Sequence, residues 1–136
     1  MSAVNMVSED GLSVDPAHWT GRQAGIIEAA AEEPEVDRIF VNPAIKKALC
    51  QTAAGQPWMN RVRPYWGHNY HFHIRLFCPS AQPECQPQAP PPPGDGCGKE
   101  LDWWFTPEAR HLPQGPAKPL LLADLPRACT KLVGAR

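Results

Sequence analysis

Between Cys78 and Gly98 the chain carries Pro79, Pro83, Pro87 and the unbroken run Pro90 to Pro93, followed by Gly94, Asp95 and Gly96. Proline locks φ and offers no amide donor, so neither a helix nor a sheet ladder can run through this stretch, which must be an ordered loop. The whole sequence has 17 prolines, 5 cysteines and 5 tryptophans in 136 residues. That composition predicts a loop-rich, cross-linked domain rather than a helical bundle or a long regular sheet. A hydrophobic content of 43% suffices for one modest core. With 13 Lys+Arg against 14 Asp+Glu the net charge is -1, which disfavours nucleic acid, polyphosphate and anionic lipid as partners. Apolar stretches such as Leu120 to Ala123 are far shorter than a membrane span. The cysteines lack C-x-x-C spacing, so they predict disulfides and an oxidising compartment, with one thiol left over. Met1 to Asp10 carries no basic start followed by an apolar run, hence no export signal. The two readings conflict unless the N-terminal part of a longer exported protein is missing.

Residues 1 to 19 are polar and irregular, with a turn at Asp15 and Pro16, and read as a lead-in with little core of its own. Thr20 offers an N-cap to a helix over Gly21 to Glu33, where Ala24, Ile27, Ala30 and Ala31 recur at helical spacing before Pro34. Arg38 to Val41 has the composition of a short buried strand. Asn42 then caps a second helix that starts at Pro43 and runs to about Cys50. A second strand is predicted from near Asn69. Its alternation puts His71, His73, Arg75 and Phe77 on an outward face and Tyr70, Phe72, Ile74 and Leu76 on a packed one. The aromatic segment Leu101 to Phe105 precedes a Pro-rich tail. The division expected is a domain over 1–112 and a loosely held tail over 113–136. The fold class is α+β: a small antiparallel sheet, two short helices and the Pro-rich loop.

The chemistry lies in His68-Asn69-Tyr70-His71-Phe72-His73, three imidazoles in six residues. A period of two lets His71 and His73 project from one face, suited to one imidazole on a metal and the other beside metal-bound water. An H-x-H pair alone is a weak motif, and the surrounding sequence adds to it. Arg38-Ile-Phe-Val-Asn-Pro-Ala-Ile-Lys, Leu49-Cys50, Val62-Arg63-Pro64, His71-Phe-His-Ile-Arg-Leu and Gly94-Asp-Gly-Cys-Gly-Lys-Glu-Leu together resemble the penicillin-insensitive murein endopeptidases. That family comprises periplasmic zinc enzymes that cut the peptide cross-links of peptidoglycan and are similar in active site to lysostaphin-type peptidases and D-alanyl-D-alanine carboxypeptidases.

The resemblance implies that His73 binds Zn2+, that His71 acts on substrate or water, and that His68 lies near the site. It implies the bridges Cys50 to Cys97 and Cys78 to Cys85, and a Cys129 left as a free thiol because its family partner lies near the mature N-terminus. The family's other zinc ligands form an H-x-x-x-x-x-x-D motif. Here the only His before residue 68 is His18, and no Asp follows it seven residues on. The chain therefore reads as the C-terminal half of such an enzyme, a truncated metallopeptidase domain expected to be inactive alone, periplasmic by family and directed at peptidoglycan cross-link peptides. Asp15 and His18 follow no ligand spacing that would replace the missing pair, and His111 in the tail reads as solvated.

Trp58, Arg61, Arg63, Tyr65 and Trp66 suggest a groove for the peptide stem, although Trp58 and Trp66 are better read as packing. The Pro90 to Pro93 run reads as a stiff spacer inside a disulfide loop rather than a ligand for an SH3-like partner. Two function classes compete with the hydrolase: a non-catalytic peptidoglycan-binding module and an inactive gene fragment.

Overall fold

Local capping starts the first helix. Thr20 is extended, its hydroxyl accepts from the Arg22 amide at 3.2 Å, and the Gln23 side chain accepts from the Thr20 amide at 2.9 Å. This reciprocal box satisfies donors that a helix start otherwise leaves open. Helix α1 spans Gly21–Glu32 and buries Ile27 and Ala31. A computed structural model describes residues 3–110, 119, 121–124 and 129. Strand β1, Val36–Val41, leads through Asn42 into helix α2, Pro43–Ala53, and the Asn42 side chain accepts from the Ala44 amide at 2.9 Å. A 3₁₀ turn at Pro57–Arg61 returns the chain to strand β2, Val62–Pro64. Strand β3 is His73–Leu76, and short helices α3, Lys99–Asp102, and α4, Pro107–Arg110, flank a 3₁₀ turn at Trp103–Phe105. Among the described residues no helix is long and apolar enough to cross a membrane.

The class is α+β, and the sheet is mixed rather than antiparallel. Its order is β2-β1-β3, with β1 parallel to β2 and antiparallel to β3. The parallel pair follows from α2, because two adjacent strands joined by a helical crossover run the same way. Strand β2 is not foreseen from the sequence, since three residues between Arg61 and Tyr65 are too short for alternation to register. Helix α2 was expected to end near Cys50; it continues through residues without proline to Ala53.

Helix α1 packs against β1, and α2 against β2. The core between them holds Ile27, Ile39, Val41, Leu49, Met59 and Val62, with Trp58 also buried. The lead-in is a correction: Val7 is buried in this core, pairs with Val14, and Met6 and Trp19 pack beside it. A second correction concerns β3. The strand begins at His73 rather than near Asn69, and Ile74 and Leu76, expected to pack, are 41% and 57% exposed. Ile74 stands opposite Ile39, which has no exposure at all. The helices cover β1 and β2, and β3 lies at the edge beyond them.

The Pro-rich loop takes its order from side chains of the sheet and of the 3₁₀ turn before β2. Arg38 donates to the Ala89 carbonyl, Arg75 to Gln86, Arg63 to Pro92, and Asn60 to both Pro92 and Gly94. A segment that cannot build a ladder thus has several carbonyls paired by guanidinium and amide donors. Disulfides join Cys50 to Cys97 and Cys78 to Cys85, and Cys129 is exposed without a disulfide. Apart from the few residues named above, the tail predicted over 113–136 lies outside the described residues, as does His111.

Candidate active site

Each of the three histidines is positioned by a different device. His73 opens β3 opposite Phe40 of β1, and their rings meet edge to face with centroids 5.6 Å apart. His68 sits in a tight turn after Gly67, and both residues have positive φ, 57° for His68 and 71° for Gly67. A left-handed backbone is uncommon for a residue with a Cβ, and such conformations cluster at functional sites. The turn is held by Asn42, whose side-chain amide donates to the Gly67 carbonyl and to Asn69 Oδ1, both at 2.9 Å. One residue therefore caps α2 and fixes the histidine turn. His68 Nδ1 lies 2.9 Å from the Trp66 carbonyl, a distance that suits an N–H donor there and leaves Nε2 free to accept.

His71 precedes the strand. Its ring lies 5.2 Å from that of His68, and the His73 ring lies 6.1 Å from His68, so the turn residue bridges the H-x-H pair. His71 and His73 are both exposed. His71 also lines an apolar cavity of about 250 Å³ with Met6, Trp19, Ile26, Ile45 and Phe72. Tyr65 stacks edge to face on both His68, at 5.9 Å, and Phe40, at 5.7 Å. An aromatic wall of Phe40 and Tyr65 thus backs the cluster. Sequence identifies Phe40 only as a buried-strand residue; its place under His73 depends on register, which alternation alone does not supply.

The two arginines of the expected peptide-stem groove are engaged elsewhere. Arg61 donates to the Ala31 and Glu33 carbonyls, each at 2.9 Å, and Arg63 is buried against Pro92 with Glu100 at 3.4 Å. Asp15 and His18 pair with each other at 3.0 Å on the lead-in. The neighbouring Ala17 amide, followed by His18, lowers the Asp15 carboxyl pKa below its ordinary value. Among the described residues no group of three or more His, Cys, Asp or Glu is arranged to hold a metal ion. The described side chains therefore do not by themselves complete a zinc site.

Comparison with known proteins covers nearly the whole chain. Residues 1–134 match the family profile described as penicillin-insensitive murein endopeptidase. A penicillin-insensitive murein endopeptidase of Yersinia enterocolitica is 47% identical over 131 residues, which is 96% of this chain and 46% of that protein. Those of Klebsiella pneumoniae and Salmonella arizonae are 51% and 50% identical over 106 residues, 77% of this chain and 39% of each relative. The chain thus spans less than half the length of these relatives. On this match the chain belongs to the penicillin-insensitive murein endopeptidase family.

Proposed function

We propose that this chain is the His71/His73-bearing half of a zinc-dependent endopeptidase that cleaves peptide cross-links of peptidoglycan, and that its 136 residues alone do not turn over substrate. The observation that carries the reading is the gathering of His71 and His73 about His68, each within ring contact of it, beside Tyr65 and Phe40. His73 is the proposed zinc ligand. Zinc would supply Lewis-acid chemistry once the remaining ligands are present. His71 and His68 hold and move protons at the attacked amide, a role imidazole fills by accepting and returning one proton. Hydrolysis without a serine nucleophile gives a β-lactam nothing to acylate, in keeping with the penicillin insensitivity for which the relatives are named. The two disulfides favour an oxidising compartment, and we assign the protein to the periplasm.

The test joins the first half of the Yersinia enterocolitica relative to this chain and compares the fusion with the chain alone. Zinc titration and digestion of cross-linked muropeptide dimers are the measurements. The fusion is expected to bind one zinc and to cleave, the chain alone to do neither, and His73→Ala in the fusion to abolish cleavage. A fusion that binds muropeptides and leaves the cross-link intact with zinc present would favour a non-catalytic binding module. Cleavage unchanged by His73→Ala would remove His73 from the site.

A further inference from the structure

A run of aromatic rings leaves the histidine cluster and ends on the surface. Tyr65 touches His68, Trp104 stands 6.3 Å from Tyr65, and Trp103 stands 5.4 Å from Trp104. Tyr65 is 55% exposed and Trp103 44% exposed, while Trp104 is half-buried between them and also contacts Trp66 at 5.4 Å. The segment is fastened from behind by Lys47, whose ammonium lies 5.0 Å from the Phe105 ring centre. Two well-exposed rings joined through a third form a contiguous apolar surface, and such patches on a protein mark binding sites.

The surroundings favour a neutral ligand with polar edges. The nearby guanidinium of Arg63 is buried and bonded to Pro92 and Glu100. Glu100, with its side chain 53% exposed, shares with Trp104 and Arg63 the wall of a cleft of about 190 Å³, and Asp102 beside it is exposed as well. Carboxylates at the rim repel the carboxylates of a peptide stem and accept hydrogen bonds from hydroxyl or acetamide groups. A pyranose ring matches this arrangement, since its C–H face packs on an indole or phenol while its polar groups stay at the edge.

We propose that Tyr65, Trp104 and Trp103 form a ledge that stacks N-acetylhexosamine rings of the glycan strand, holding it beside the histidines while its peptide is presented to them. This rests on the peptidoglycan reading above and names a second part of that substrate. The wall would then be recognised through its sugar as well as its peptide.

The test measures binding of the full chain to chitohexaose, a neutral peptide-free oligomer of N-acetylglucosamine, by ligand-observed NMR without added metal. Saturable binding is expected. Trp103→Ala should weaken it roughly tenfold, Trp103→Phe should retain it within about threefold, and Tyr65→Ala should weaken it as well. Circular dichroism melts identify any variant that fails to fold, in which case Tyr65→Ala and Trp103→Phe decide the matter. No saturable binding by the native chain, or equal binding by the alanine and native proteins, overturns the ledge. The outcome is independent of cleavage. A fusion that digests cross-links while its ledge ignores chitohexaose refutes this inference alone, and sugar binding by a fusion that leaves cross-links intact refutes the endopeptidase reading alone.

Discussion

Lys46 is a fully buried ammonium that donates to the Met59 and Asp95 carbonyls. Burial, followed by the charge of Arg63, lowers its pKa from 10.5 to about 8, against the pull of Asp95 and Glu100. Between those two values the unfolded chain holds a proton that the folded chain has released. Stability from this group therefore rises with pH across the window from about 8 to 10.5, by about 3 kcal/mol in total. Urea unfolding of native protein and Lys46→Met, compared from about pH 7 to 10.5, should show the difference moving in favour of the native protein by about that amount. A pH-independent difference would mean that the ammonium is solvated. Lys46 also explains a glycine. Gly96 has φ 71°, and a Cβ there would lie 3.0 Å from Arg63 Nη1 and 3.4 Å from Lys46 Cε. A side chain there would be strained by the positive φ and would have to push the Arg63 guanidinium aside by a few tenths of an ångström.

At the scale of elements, the Pro-rich loop depends on its ties. The Cys50–Cys97 bridge closes a sequence separation of 47 and Cys78–Cys85 one of 7. In the chain-entropy account these closures stabilise by about 4 and about 2.5 kcal/mol. Replacing both cysteines of each pair by alanine should lower urea-unfolding free energies in that order, and equal losses would show that loop closure is not the source. Asp95 adds a tie by accepting from the Cys97 and Gly55 amides at 2.9 and 2.8 Å; these bonds hold its carboxyl below its ordinary pKa. Helices α1 and α2 are legible in the sequence because their signals are local: Thr20 with Gln23, and Asn42 with Pro43, act within a few residues. Strand β2 is illegible because three residues acquire strand geometry only by pairing with β1.

For the molecule as a whole, the decisive feature is a sheet covered unevenly by its helices. Ile39 and Ile74 face each other across β1 and β3, yet one is fully buried and the other 41% exposed. Thermal or urea unfolding should therefore separate Ile39→Ala, expected to cost about 3 kcal/mol, from Leu76→Ala, expected to cost under about 0.5 kcal/mol. Comparable losses would mean that β3 is covered in solution. Within His73–Leu76 alternation identifies which side chains share a face, His73 and Arg75 standing opposite Phe40 and Arg38 of β1, whereas His71, expected on the same strand, lies before it. It does not say which face is covered, because burial depends on where α1 and α2 lie.

The sequence alone determined what short-range rules govern: the two main helices and their caps, the exclusion of regular structure from the Pro-rich loop, the strand core at Arg38 to Val41, and the histidine motif that carries the family resemblance. Only the tertiary structure decided the parallel β1–β2 pairing, the burial of Val7 from a lead-in that looked coreless, and the engagement of Arg61 and Arg63 by backbone carbonyls. It also brought Phe40 against His73 and His68, and Trp104 against Tyr65, from segments far apart in the chain. The reason is physical. Caps, turns and φ restrictions act over a few residues, whereas burial and ring contacts arise when distant segments exclude water together, and no local pattern records which segments those will be.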